Sequence, residues 1–348
     1  MNIEKTSMRR PEKFLIVSLG SIGRRHLKNL RLLKPDAEIA VWRQHTAHPG
    51  SELPEGADFQ FTSLDEVLAF KPDVAIVASP AHRHVETALL LARAGVHLLL
   101  EKPISNALNG LDELISICDE KKLTLMVGYN LRFYPSLVET RRMLDEGAIG
   151  RVLMVRAEVG QYLPDWRPAS DYRQGVTAQQ ALGGGVLLEL SHELDYLYWM
   201  FGMPDFVTAC GGRLSDLEID VEDAVELILE YAEPRRMVNV HLDMVQRAPL
   251  RRCRLIGENG TVVWDAIADR IECYSVATRQ WQTFDQYALE DRNQMYLDEL
   301  SHFFDCVANA RTPLITGRQG RDVLAIVEAA KASLETGRKI GMEQYVGR

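Results

Sequence analysis

Over roughly the first 130 residues, short apolar runs alternate with stretches whose apolar positions recur three or four residues apart. The runs at 14–19, 38–43, 73–78, 97–101 and 124–128 predict strands, and the stretches at 24–33, 84–94 and 111–121 predict helices. Ser63 stands three residues before Glu66, the spacing of a capping box, and predicts a short helix there. Gly95 closes one predicted helix, and Pro80 and Pro103 follow strand ends. Strands alternating with helices predict an α/β fold, a doubly wound parallel sheet covered on both faces.

After Tyr129 the pattern changes. Longer alternating segments at 151–159, 206–214, 224–231, 237–244 and 252–256 predict strands, and Asn259-Gly260 predicts a hairpin turn before a strand at 261–264. Helices are expected at 137–146, 185–201, 293–309 and 320–335. Strands clustered with few crossovers predict an α+β domain on a largely antiparallel sheet. The expected division is 1–130 and 131–348, with the last helices free to pack back on the first domain.

Composition narrows the partners. The chain of 348 residues has 46% hydrophobic and 26% charged residues, ordinary globular usage. Its 40 Lys+Arg against 49 Asp+Glu leave a net charge of -9, which disfavours nucleic acid as a main partner. No stretch approaches the ~20 apolar residues of a bilayer span. The opening MNIEKTSMRRPEKF has charges but no apolar signal-peptide core. Five scattered cysteines, never in C-x-x-C spacing, predict a reducing cytoplasm and no structural metal site.

Three constellations carry candidate chemistry, with one strand end bearing on the choice of cofactor. Gly20-Ser21-Ile22-Gly23 lies between the first strand and first helix. Gly20 would let backbone approach a pyrophosphate, Gly23 would let helix and strand pack closely, and the helix N-terminus would offer N–H groups. Ser18 occupies the first position of G-x-G-x-x-G, and a plain turn is the bland alternative. The second strand ends at Arg43 with no carboxylate; a guanidinium there, helped by Arg24, suits the 2′-phosphate of NADP, whereas stacking on adenine or simple solvation leaves NAD. Glu101-Lys102-Pro103 closes a buried-looking strand, so Lys102 would project into the cofactor crevice and serve in proton transfer, unless it is a surface lysine at a turn. In Gly183-Gly184-Gly185-Val-Leu-Leu-Glu189-Leu-Ser-His192-Glu-Leu-Asp195, a continuous helix would bring Glu189, His192 and Asp195 within an arc of roughly 120°. That stripe suits a general acid/base, or is an ordinary charged outer face; the three glycines suggest close approach by a ligand or another backbone.

Together these motifs, with Ser79-Pro80-Ala-His-Arg-His84 and Gly128-Tyr-Asn130-Leu-Arg132-Phe133, resemble the Gfo/Idh/MocA oxidoreductases, the glucose–fructose oxidoreductase and inositol dehydrogenase family. The resemblance covers nearly the whole chain. It implies an N-terminal Rossmann domain, a C-terminal α+β domain with a large open sheet that mediates assembly into a homodimer or homotetramer, and hydride transfer between NAD or NADP and a sugar-like hydroxyl carbon. It makes Lys102 and His192 the catalytic pair, with Glu189 or Asp195 supporting the imidazole, and makes Lys102–Pro103 a cis peptide. Ser79, Pro80, His84 and Glu101 join the cofactor contacts, and Asn130 and Arg132 the substrate contacts. The departures are Ser18, Ala81 where many relatives carry Asn, and Glu189 three residues before His192 where the usual residue is Asp four before.

The segment Tyr162-Leu-Pro-Asp-Trp166-Arg167-Pro-Ala-Ser-Asp171-Tyr172-Arg173 looks like a variant associated with surface-sugar biosynthesis. Arg167 and Arg173 would hold a carboxylate or phosphate while Trp166 and Tyr172 stack on a ring, or the segment is a structural loop. Arg251-Arg252-Cys-Arg254 is expected to be a solvated strand face, and His82-Arg-His84 packing or a nicotinamide contact rather than a metal site. The expected activity is oxidoreduction of a sugar, sugar acid or nucleotide sugar. A non-catalytic NAD(P)-sensing regulator and a redox-assisted lyase or glycosidase are the other readings.

Overall fold

The structure, a computed structural model, describes residues 12–44 and 52–345. Most of the opening stretch tested for a signal peptide lies outside the described residues. The chain divides into two compact units. The first runs to Asn130 and includes Asn293–Arg321; the second holds Leu131–Arg292 and the chain from Asp322 onward.

The first unit runs β1 (Lys13–Val17), α1 (Ser21–Leu33), β2 (Glu38–Trp42), β3 (Phe59–Phe61), α2 (Leu64–Phe70), β4 (Val74–Val77), α3 (His84–Arg93), β5 (His97–Glu101), α4 (Leu111–Glu120) and β6 (Leu125–Gly128). All pairings are parallel, in the order β3-β2-β1-β4-β5-β6. Strands buried on both faces need apolar residues at successive positions, and 14–17, 74–77 and 98–100 are fully buried. The order reverses between β1 and β4, and in such sheets ligands bind beyond the carboxyl ends at that point. The Ser63–Glu66 capping box forms and opens α2. Strand β3, three residues long, carried no periodic signal.

The chain continues with α5 (Pro135–Asp145), β7 (Val152–Gly160), α6 (Leu163–Trp166), α7 (Val186–Glu189), α8 (His192–Phe201), β8 (Phe206–Gly212), β9 (Ala224–Tyr231), β10 (Arg236–Asp243), β11 (Leu250–Gly257), β12 (Gly260–Asp265), β13 (Arg270–Ser275) and β14 (Gln280–Phe284). Helix α9 (Gln294–Asn309) belongs to the first unit, where Phe304 meets Phe14 edge-on at 5.3 Å. The division between units falls inside α10 (Gly317–Thr336), and β15 (Ile340–Gly341) closes the second sheet.

That sheet has nine strands in the order β14-β13-β12-β11-β7-β10-β9-β8-β15, antiparallel except for the β7–β10 pair. Its register puts Val155, Ala157, Cys253, Leu255, Val262 and Trp264 on one buried face, with Trp264 packed edge-on against Tyr134 and Tyr196. The opposite face carries a cross-strand row, Met237, Met154, Ile256, Thr261, Tyr274 and Trp281. The Asn259-Gly260 hairpin forms between β11 and β12. Strands β13 and β14 were missed from sequence; in β14, Gln280, Trp281, Gln282 and Thr283 are all exposed, which erases the alternation a half-buried strand shows.

Candidate active site

The loop from β1 to α1 is built around two tight contacts. Ser18, in the place of the first fingerprint glycine, takes φ 73°, a conformation sparsely used by residues with a side chain. Its backbone N–H donates to Trp42 O at 2.9 Å. A Cβ on Gly23 would lie 2.2 Å from Ser18 O, so helix and turn touch backbone to backbone there. Gly20 differs: a Cβ there would meet nothing within 4 Å. Helix α1 starts with no side-chain cap and no acidic residue in its first turn, which leaves its first N–H groups to an anion. At the end of β4, Ser79 Oγ is buried with no hydrogen-bond partner among the described residues. Open space at Gly20, a bare helix N-terminus and an orphaned hydroxyl on the neighbouring strand end are what a dinucleotide needs, and these residues fit one. Arg43 follows β2, its N–H donating to Phe61 O at 2.9 Å, and Gln44 reaches Thr87 Oγ1 at 3.0 Å. Neither side chain is a carboxylate.

Two residues expected among the cofactor contacts are buried. His84, at 1% exposure, sets Nε2 2.7 Å from Ser79 O and Nδ1 3.0 Å from Pro103 O, stitching the loop after β4 to the loop after β5. Burial pushes its pKa below the usual imidazole value, against the Ser79 carbonyl, Glu101 and the Pro103 carbonyl. The first turn of α3 aims it into the unit, with each ring nitrogen against a backbone carbonyl. Glu101 is also buried, with Oε1 2.6 Å from His26 Nε2 and Oε2 accepting from the Lys102 N–H at 3.1 Å. Burial by itself raises a carboxyl; the His26 hydrogen bond and charge and the nearby Lys102 outweigh it and hold Glu101 below the usual carboxylate range. Lys102 is half-buried at the β5 end, and the Lys102–Pro103 peptide is cis. Pro80 caps the single 3-10 turn Ala81–Arg83 before α3.

In the second unit the glycine-led segment is not one helix. Helix α7 stops at Glu189, Leu190 takes φ -99° and ψ 22°, and α8 begins at His192. The helical phase is therefore lost between Glu189 and His192, and the expected common stripe does not exist. Asp195, expected on an outer face, is fully buried and receives Arg132 in a fork, Nε to Oδ2 at 3.0 Å and Nη2 to Oδ1 at 2.7 Å. Burial raises the Asp195 pKa against the pull of Arg132. Arg132 is thus an internal anchor, and Asn130 opens the same buried 3-10 turn. Glu193, also buried, has Oε1 2.9 Å from Arg251 Nε. Arg251 is therefore not part of a solvated face; Arg254 is.

The triple glycine makes room for the chain itself. A Cβ on Gly184 would sit 2.4 Å from Val176 O, and one on Gly185 2.4 Å from Glu222 Oε1. Glu222, which sequence reasoning missed, accepts from the Leu187 N–H at 3.2 Å and so holds the first turn of α7. Burial raises its pKa. Its signal was the close approach the glycines implied; no local pattern named the partner.

The Trp-Arg-Pro segment forms a cleft of about 280 Å³ lined by Leu163, Trp166, Arg167, Tyr172, Gln174 and Thr177, among others. Trp166 Nε1 donates to Gln161 O at 2.9 Å, which fixes the ring, and Arg167 is exposed. Tyr172 Oη accepts from the Glu218 N–H at 3.3 Å. Arg173 has carboxylate neighbours: Nε meets Asp171 Oδ1 at 2.8 Å and Nη1 meets Glu218 Oε2 at 3.0 Å. Among the described residues, no helix is long and apolar enough to cross a membrane.

Comparison with known proteins covers nearly the whole chain. Residues 13–129 match the oxidoreductase family's NAD-binding Rossmann fold, GFO_IDH_MocA, and residues 141–342 its C-terminal alpha/beta domain. The myo-inositol 2-dehydrogenase of Thermotoga maritima is 26% identical over 347 residues, 95% of this chain and 99% of that protein. The inositol 2-dehydrogenase of Rhizobium meliloti is 24% identical over 341 residues, covering 95% and 99%. The WlbA dehydrogenase of Bordetella pertussis, solved with NADH and UDP-GlcNAcA, shares the fold with a TM-score of 0.78 at 22% identity, over 95% of this chain and 98% of that one.

Proposed function

This chain belongs to the Gfo/Idh/MocA oxidoreductase family, and on that premise we propose that it moves a hydride between a nicotinamide cofactor and the carbinol carbon of a sugar, sugar acid or nucleotide sugar. The observation that carries the reading is the β1–α1 turn, with space at Gly20 and unclaimed helix N–H groups. The substrate class follows from the inositol and UDP-sugar names of the relatives. The cofactor, when bound, accepts or returns the hydride; the protein's own groups handle the proton.

On this reading Lys102 and His192 remove or return the hydroxyl proton. Preorganised charge lowers the energy of a developing alkoxide, because the site is already oriented when the charge appears. Glu222 and the Arg132–Asp195 and Arg251–Glu193 pairs anchor the two short helices that present His192. Trp166, Tyr172 and Arg167 line a cleft large enough for one pyranose ring, with Arg167 offered to an acidic substituent. Arg43, with no carboxylate at that strand end, favours NADP over NAD. The outer face of the nine-stranded sheet, with Phe206, Met237 and Trp281 exposed, is the proposed contact between copies in a homodimer or homotetramer. Five free cysteines suit a cytoplasmic setting.

The test is fluorescence titration with NADH and NADPH, followed by a 340 nm screen of inositols, sugar acids and UDP-sugars. Binding of NADPH tighter than NADH, and loss of that preference in Arg43→Ala, is expected. Failure to bind either cofactor would end the proposal.

A further inference from the structure

His26 lies on the inward stripe of α1 with Gly23, Leu27 and Leu30, and its side chain is wholly buried. An imidazole in that position is costly to desolvate unless it is hydrogen-bonded. Its bond reaches 75 residues along the chain, to Glu101 Oε1 at 2.6 Å. Glu101 ends β5, and its other oxygen accepts the N–H of Lys102 at 3.1 Å. Beside it on β6, Gly128 leaves room: a Cβ there would stand 3.3 Å from the Glu101 carboxyl carbon. Tyr296 of α9 covers the His26 ring edge-on at 6.3 Å, and Arg25 lies over Tyr296 at 4.5 Å. A buried imidazole, a missing side chain on the neighbouring strand and an aromatic cover thus all serve one carboxylate.

We infer that His26 is a positioning residue for Lys102: through Glu101 it ties the helix that opens the phosphate loop to the strand end that carries the lysine. The inference rests on the reading of Lys102 as a proton-handling group. A carboxylate fixed on both oxygens cannot swing toward solvent, so its charge stays at a set place beside the lysine. The charged or titratable groups facing Glu101 are His26 from α1, Lys102 from its own strand end, Tyr296 from α9 and His84 from α3. Losing the His26 bond leaves a buried carboxylate without its main donor, which takes up a proton and withdraws its charge from Lys102. An ammonium that loses a nearby negative charge gives up its own proton more readily.

The experiment is trace acetylation of the full-length protein with acetic anhydride at one fixed pH, without added cofactor, with the rate of Lys102 modification read by mass spectrometry. His26→Leu and Glu101→Gln should each raise the rate of Lys102 labelling severalfold. His26→Gln, whose amide nitrogen reaches about as far as Nε2, should restore the wild-type rate. Folding is checked by circular dichroism, and if His26→Leu does not fold, Glu101→Gln decides alone, since it keeps the shape without a buried charge. A folded Glu101→Gln variant with the wild-type labelling rate would overturn the inference. Wild-type turnover by Lys102→Ala would instead end the catalytic reading of Lys102 and leave the labelling result standing.

Discussion

Substituting alanine at Gly23 and at Gly20 separates a packing requirement from a ligand requirement within one turn of chain. At Gly23 the new Cβ would fall 2.2 Å from Ser18 O and 3.1 Å from Ser18 C. Both are backbone atoms, so relief requires the turn or helix to move. Overpacking of this kind costs about 1–3 kcal/mol. Without the contact, alanine inside a helix would gain up to about 1 kcal/mol over glycine, so the sign of the change is itself diagnostic. At about 2–4 °C per kcal/mol for a unit of this size, Gly23→Ala should lower the melting temperature by several degrees. At Gly20 nothing lies within 4 Å and φ is -66°, so Gly20→Ala should melt close to wild type. Its methyl group would occupy the space assigned to phosphate, and NADH should bind at least about tenfold more weakly, about 1.4 kcal/mol. The assays are calorimetry and NADH fluorescence titration on the same preparations. Gly20→Ala with wild-type NADH affinity would refute the cradle, and Gly23→Ala as stable as wild type would refute the contact.

Other outcomes follow from the second unit. Removing Arg132 alone, as Arg132→Met, strands a buried Asp195 and should cost about 3–5 kcal/mol in denaturant unfolding; adding Asp195→Leu should recover much of it, and no recovery would contradict the pairing. His241 sits between Glu226 Oε1 at 2.6 Å and Asp243 Oδ2 at 2.9 Å, and the Asp243 hydrogen bond leads in raising its pKa to about 9. Because the folded value lies above the unfolded one, this stabilisation is complete below about pH 6.5 and lost as pH rises through 9; His241→Gln should flatten that limb of a melting-temperature profile. Trp166→Ala and Arg167→Ala should raise KM for the sugar found in the screen while leaving NADH affinity unchanged, and unchanged KM in both would remove the cleft from substrate binding. Ile256→Glu, in the middle of the outer sheet row, should lower the mass seen by sedimentation if that face joins copies.

Signals that repeat over a few residues were legible in the chain. The apolar runs of β1, β4 and β5 announced a parallel sheet because strands buried on both faces carry little else, and the Ser63–Glu66 box announced α2 because both partners lie within one turn. The glycines at 183–185 announced a close approach, for the same local reason. Tertiary structure decided who approached: Glu222, 37 positions beyond Gly185, and the carbonyl of Val176. It broke the helix after Glu189, where a uniform period had placed Glu189, His192 and Asp195 on one stripe, and it turned Arg132, Asp195 and His84 inward. A charged or imidazole side chain looks the same in sequence whether it faces solvent, a ligand or a buried partner. The choice depends on desolvation and on a partner brought close by the fold, as His26 and Glu101 are from 75 residues apart.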